Sequence, residues 1–432
     1  MRTTSVRRAS IETVAAGVLG QGMLMISGIL VARLLGVENR GHLALMTLFP
    51  LIIVLTGTLG LPTATTYYIA QGTDARRLVR SLLGPALRQA VVLQVAHGAL
   101  LWAVFHGTPG AVEAAAGYTV VGIPAFMTLT WGLAILQGQH RFRAFNVFRL
   151  LQPTLYSAAA VVVFAAGIHD IRVIAAAWAG TFLLSGVWTL AESLRGLPKE
   201  GAPPPTTREL YRFGLRGMVG WVSPLETFQL DQVVVGLALS PRALGLYVVG
   251  AAFTNLTRLF IPQSLGMVAY PHVAASETHE RARSAVWKFF FAALIVCSVI
   301  VVALELLMGW LIPLFFGHAF RGSVPLARIL LLGSLFLGVR RVLTDGTRGA
   351  GYPALGTIAE FCTAAVAIPA LVIGGQEGVQ GVAWALAVAY GLGLLSLIAM
   401  AVPKLSTGDG SRVSAAAGSA SAPTATPRSS ET

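Results

Sequence analysis

Charge is scarce in this chain, and acidic charge is scarcest. Only 11% of its 432 residues are Asp, Glu, Lys or Arg, with 18 acidic against 31 basic, where ordinary soluble domains carry roughly 25% charged residues. A soluble fold of this length needs far more charged surface, so a soluble enzyme is excluded. The two cysteines, Cys297 and Cys362, both sit inside apolar runs, which excludes a disulfide framework and a thiolate metal motif. The eight histidines are scattered without His-x-x-x-His spacing, so no metal and no cofactor is expected. Strands of alternating polarity are missing, which leaves no membrane β-barrel signal. No Ser/His/Asp set, paired-carboxylate site or phosphate-cradling loop stands out, and Gly349-Ala350-Gly351 reads as a helix corner. Catalysis is therefore not expected.

What the chain has in abundance is apolar residues, 55% of the total, gathered in long runs. A hydrocarbon layer of about 30 Å takes about 20 helical residues to cross, and backbone hydrogen bonding restricts the crossing element to a helix or closed barrel. The runs define an all-α polytopic membrane protein of twelve transmembrane helices, at about 11–33, 43–69, 82–105, 114–137, 147–167, 171–191, 213–238, 244–270, 287–312, 324–347, 353–374 and 380–402. The first run is too long for a signal-peptide core and lacks a small-x-small cleavage site, and the residues after Arg7-Arg8 do not continue a twin-arginine signal. The weakest segments are the fourth, interrupted by Gly122-Ile123-Pro124, and the seventh, which carries Glu226 and Asp231.

The net charge of +13 would suggest nucleic acid in a soluble protein, but in a membrane protein its position along the chain decides. With the N-terminus placed in the cytoplasm, 24 of the 31 basic residues fall in inner segments, six (Arg33, Arg40, Arg172, Arg242, Arg321 and Arg328) in outer ones, and Arg258 alone mid-span. A missed helix would scramble this alternation downstream. The excess is a cytoplasmic-face signal, with both termini inside, and no nucleic-acid partner is implied.

The longest connection, through Gly201-Ala202-Pro203-Pro204-Pro205, falls between the sixth and seventh segments. The chain thus reads as a cytoplasmic N-terminus (1–10), an N-terminal six-helix half (11–191), a cytoplasmic linker (192–212), a C-terminal six-helix half (213–405) and a disordered cytoplasmic tail (406–432) rich in small polar residues. The halves echo one another: the corner Arg33–Gly41 corresponds at an offset of 204 to Leu237–Gly245, and Gln137–Asn146 corresponds at an offset of 211 to Arg348–Thr357. Two parallel six-helix repeats around a central cavity suit a transporter whose halves rock about that cavity.

Ala32-Arg-Leu-Leu-Gly-Val-Glu-Asn-Arg-Gly41, Leu136-Gln-Gly-Gln-His-Arg-Phe-Arg-Ala-Phe145, Leu230-Asp-Gln-Val-Val-Val-Gly236 with Leu244-Gly-Leu-Tyr247, Tyr270-Pro271 and Arg348-Gly-Ala-Gly-Tyr-Pro353 carry a resemblance. They resemble the polysaccharide flippases of the multidrug/oligosaccharidyl-lipid/polysaccharide exporter superfamily, over all twelve segments but not the tail. The resemblance implies translocation of undecaprenyl-diphosphate-linked oligosaccharide, or a related glycolipid, to the outer leaflet for surface polysaccharide or lipopolysaccharide biosynthesis. Polymerases and glycosyltransferases are the implied partners, and the implied location is a bacterial plasma membrane, in keeping with 28 Arg against 3 Lys, a GC-rich coding bias. The first segment lacks, beyond Glu12 at its inner end, the acidic residue that drug extruders of the superfamily commonly place there.

Ionisable residues within a membrane are costly and usually face a cavity or a partner. Counting out from Pro241, Glu226 and Arg258 come to similar depth, either as a structural pair or as a substrate-facing arginine with its partner. Arg341, Asp345 and Arg348 share one helical face, next to Arg340, with Glu360 near the depth of Arg341. Arginine suits phosphate because its planar fork donates two parallel hydrogen bonds, while the alternative is snorkelling at the inner interface. The same alternative covers Arg141, Arg143 and Arg149. Trp221 and Phe228 either stack on sugar or pack, and Asp231 and Glu305 either bind a coupling cation or pair structurally. Two competing functions follow: a cation-coupled multidrug extruder of the same fold, and, more remotely, a membrane glycosyltransferase or polymerase, which the short outer connections oppose.

Overall fold

A computed structural model describes residues 3–198, 200–221, 224–255, 257–258 and 261–406. The tail and Lys199 lie outside them, as do Arg2, Arg412 and Arg428 of the charge count and the side chain of Trp221. Among the described residues there is no strand: helices are joined by turns and short loops, with one isolated β-bridge.

The helices are α1 (Thr3–Gly57), α2 (Leu61–Ala70), α3 (Ala75–Phe105), α4 (Gly110–Thr119), α5 (Gly122–Gly138), α6 (Phe142–Ala165), α7 (Ile171–Leu194), α8 (Thr207–Trp221), α9 (Pro224–Phe228), α10 (Leu230–Val234), α11 (Pro241–Ala251), α12 (Ile261–Ala274), α13 (His279–Phe316), α14 (Ser323–Gly349), α15 (Pro353–Gln376) and α16 (Gly378–Ser406). They overlie the apolar segments of the sequence, with breaks inside several of them. Eight helical stretches are by themselves long and apolar enough to cross a membrane. Local chemistry sets many of the ends. Pro62, Pro241 and Pro353 occupy first turns, where the missing N–H is no loss. Asp74, Ser240 and Thr278 accept from the amides of Arg77, Ala243 and Arg281.

Two departures from the sequence reading matter for the site. The corner between the first two segments is a sharp break rather than a loop: at Gly36, with φ 70° and ψ −175°, α1 parts into two helices that meet at a kink. The left-handed value is available to glycine at little cost. The second segment breaks further on at Leu59–Gly60, both left-handed. Segments seven and eight are also broken. The seventh is built from α8, α9, α10 and a π-helical turn at Val235–Leu239, and the eighth is interrupted between α11 and α12.

Elements distant in sequence cross at both ends of the bundle. At the corner end α1 packs on α11 with glycines in the crossing: a Cβ on Gly41 would stand 1.8 Å from the Pro241 carbonyl oxygen, and one on Gly245 would stand 1.9 Å from that of Val37. Beside them the Arg33 Nε donates to the Phe315 carbonyl at 2.6 Å and its Nη2 to that of Leu314, covering carbonyls at the end of α13 that have no helical partner. At the linker end α8 lies on α2. Gly214 packs against Gly60, Phe213 stacks on Tyr67 with centroids 4.4 Å apart, and Leu210 joins the apolar cluster of Leu61, Leu78 and Trp131. The preceding stretch is strapped down by Asp74 N–H to Ala202 carbonyl (3.0 Å) and Ala202 N–H to Gly72 carbonyl (3.1 Å).

Candidate functional site

Between these crossings lies a cavity of about 430 Å³. One wall comes from α1, α6 and α7, including Arg40, Tyr156 and Trp178; the other comes from α9, α10, α11, the break after it, α14 and α16, including Glu226, Asp231, Arg258, Ser334 and Tyr390. The break in the eighth segment places Arg258 here, and Thr257 beside it anchors the break to α14 through a 2.6 Å hydroxyl contact with Ser334.

The ionisable groups fall into two sets, spent and unspent. Glu226, on the short α9, accepts from the Arg341 Nη2 and lies 3.9 Å from the Arg340 guanidinium. Arg340 is only 4% exposed and also pairs with Glu360 at 2.5 Å and donates to the Thr363 hydroxyl. Arg341 donates its other terminal nitrogen to the Arg258 carbonyl at 2.6 Å. This network ties α9, α14, α15 and the break together. It corrects the pairing of Glu226 with Arg258 expected from sequence: Glu226 meets Arg341 and Arg340, while Glu360 meets Arg340. Depth counted along regular helices fails because both helices flanking Pro241 are broken.

Arg258 is thereby left with little. Its Nη2 reaches only the Asn255 side-chain oxygen, at 3.4 Å, and its Nε is buried without a hydrogen-bond partner among the described residues. Asp231 shares the cavity, but its carboxylate accepts a 2.7 Å hydrogen bond from the fully buried Tyr247 hydroxyl. Across the cavity, Arg40 also has a buried Nε without a partner. A buried guanidinium nitrogen with an unused donor is costly, and an anionic ligand between the walls would satisfy both.

Sequence reasoning missed Arg40, counting it as an outer-loop residue. The signal is visible once the helix that follows the kink at Gly36 is known to take in Arg40. Arg40, Leu43, Ala44, Thr47, Leu48 and Leu51 all line the cavity, at spacings that make one helical face. The other expected residues are placed elsewhere. Arg348 is 54% exposed, 3.8 Å from Asp345, and off the cavity. Glu305 faces a separate groove of about 400 Å³ beside Arg328, 3.6 Å away, and Trp384. Arg141 pairs with Glu192, whose carboxyl is held below its ordinary range chiefly by that hydrogen bond. Among the described residues no group of three or more His, Cys, Asp or Glu could hold a metal ion.

The polysaccharide biosynthesis protein family matches residues 6–277. No curated protein matches the chain. Among solved structures, a lipid II flippase MurJ in an inward closed conformation is similar at a TM-score of 0.71 and 14% identity, over 90% of this chain and 87% of that one. A multidrug resistance MATE family transporter of the MOP superfamily, inward-facing, is similar at 0.69 and 17% identity, over 89% and 94%. An outward-facing MATE family transporter is similar at 0.61 and 16% identity, over 93% and 95%. At these identities the likeness is one of fold.

Proposed function

The chain belongs to the polysaccharide biosynthesis protein family, and from that premise we propose that it is a membrane transporter and not an enzyme, one that flips undecaprenyl-diphosphate-linked oligosaccharide, or a related glycolipid, across a bacterial plasma membrane by alternating access. In this reading the chain crosses the membrane twelve times as two six-helix halves, with the linker end and both termini in the cytoplasm. The single observation that carries the reading is Arg258, a cavity cation with unused donors, facing Arg40 on the opposite wall. The diphosphate would take those donors while the polyprenyl chain stays in lipid, and surface polysaccharide polymerases and glycosyltransferases would act on either side of the step. A potential negative inside favours outward movement of an anion by about 2.3 kcal/mol per charge per 100 mV, so a doubly charged diphosphate needs no ion site.

The test is flipping of a polyprenyl-diphosphate-linked oligosaccharide in proteoliposomes. Arg258→Ala is expected to lower the rate at least tenfold, since hydrogen bonds to charged groups contribute about 1.5–3 kcal/mol. An unchanged rate at equal reconstitution overturns the reading. A second reading, a cation-coupled multidrug extruder, is favoured by one observation: Asp231 is an acidic residue lining the cavity. Proton- or sodium-dependent dye efflux abolished by Asp231→Asn would establish it.

A further inference from the structure

Where α12 turns into α13, a second pocket of about 650 Å³ opens away from the central cavity. Its α13 wall presents Arg281, Ser284, Ala285, Lys288, Phe289 and Ala292, at spacings of i, i+3, i+4, i+7, i+8 and i+11 that form a single stripe. The chemistry changes along it, charged and hydroxylated at the mouth and apolar from Phe289 inward. The same face continues through Ile295, Val299, Val302 and Leu306, which are 63%, 63%, 57% and 79% exposed. From α12 and its turn come His272, set edge-on against Phe289 with centroids 5.7 Å apart, and Ser276.

The mouth holds one uncommitted cation. Arg281 is paired with Glu277 at 2.7 Å, both well exposed. Lys288, one of only three lysines in the chain, has no hydrogen bond or ion pair among the described residues. It stands nine residues into α13, about 13 Å along the axis, next to Trp287, a residue type that favours the level of lipid head groups. A soluble anion would leave the apolar half of this stripe unused, and a neutral lipid would leave Lys288 unanswered. Basic pockets between membrane helices fit anionic head groups.

We propose that this pocket binds an anionic phospholipid, with its phosphate on the Lys288 ammonium and within reach of His272, Ser276 and Ser284, and an acyl chain along Phe289, Ala292 and Ile295. Occupancy would tie the foot of α12 to α13. The site is independent of what the central cavity carries.

The test is native mass spectrometry of the full chain in mild detergent with equal amounts of phosphatidylglycerol and phosphatidylcholine. The wild type should retain phosphatidylglycerol roughly fivefold over phosphatidylcholine, the ratio expected of one lipid-facing basic side chain. Lys288→Gln should bring the two near parity. Lys288→Arg should keep the preference, as should Arg283→Gln, on the same helix but outside the pocket. Preference retained by Lys288→Gln, or lost equally in Arg283→Gln, overturns the proposal, and so does displacement of the lipid by millimolar inorganic phosphate, which would mark a site for free phosphate.

Discussion

A guanidinium can be spent on structure or held for a ligand, and five arginines of the chain divide on that line. Arg340 is spent: 4% exposed and shared between Glu360 and Glu226. Removing one partner of a buried network strands the others, at a cost of about 3–5 kcal/mol. Arg340→Ala should therefore lower the melting temperature in detergent markedly, with transport falling only as folded protein falls. Arg341 is committed to Glu226 and to the Arg258 carbonyl, and Arg348 lies half-exposed beside Asp345. Arg258 and Arg40 each retain a buried Nε without a partner among the described residues. Arg258→Ala should not lower the melting temperature, because it removes an unsatisfied group, yet it should slow flipping. A melting temperature that falls as far as that of Arg340→Ala would place Arg258 in the structural set instead.

At the scale of elements, the crossings explain where helices stop and which contacts can open. Gly41 and Gly245 hold matching places in the two corner segments that echo one another at an offset of 204, and they meet each other with no room for a Cβ on either. A side chain there must push α1 and α11 apart. Gly41→Val should speed labelling of Thr47→Cys, on the cavity wall, by a membrane-impermeant thiol reagent applied from the corner side in a chain otherwise free of cysteine. Unaltered labelling would show that this contact does not close that end. At the linker end α8 begins with a reciprocal cap: the Glu209 carboxylate accepts from the Thr206 amide at 2.8 Å and its hydroxyl at 2.9 Å. These bonds, the amide first, hold the carboxyl below its ordinary range. Their stabilisation is complete at neutral pH and lost as the pH falls through the lowered value. Thermal melts of wild type and Glu209→Ala should differ at neutral pH and draw together in acid; a constant gap would show that the charge is idle.

For the whole molecule, the chain is cross-strapped around the cavity, α1 reaching α11 and α13 at one end and α8 reaching α2 at the other. On the function proposed above, transport of a doubly charged diphosphate through this cavity should respond to voltage. In proteoliposomes an imposed potential of about 100 mV should bias the lipid-linked anion between leaflets by roughly 4–5 kcal/mol, and collapsing it should remove the bias; indifference to voltage would require an ion partner, with Asp231 the first place to look. Much of this architecture is legible in the amino-acid order. Apolar runs such as His279–Phe316, the skew of arginine to alternate connections and the echo of Gly41 in Gly245 all depend on composition and spacing along the chain, because transfer into hydrocarbon is close to a sum over neighbouring residues. Ion pairing is not such a sum. It requires approach within 4 Å of atoms on separate helices, and the breaks at Gly36, at Val235–Leu239 and between α11 and α12 reset depth and facing. By itself the sequence determined an all-helical membrane protein with a small set of costly intramembrane charges. Only the tertiary structure decided that Glu226 belongs to Arg341, that Glu305 lies off the cavity, and that Arg40 joins Arg258 as the pair left unspent.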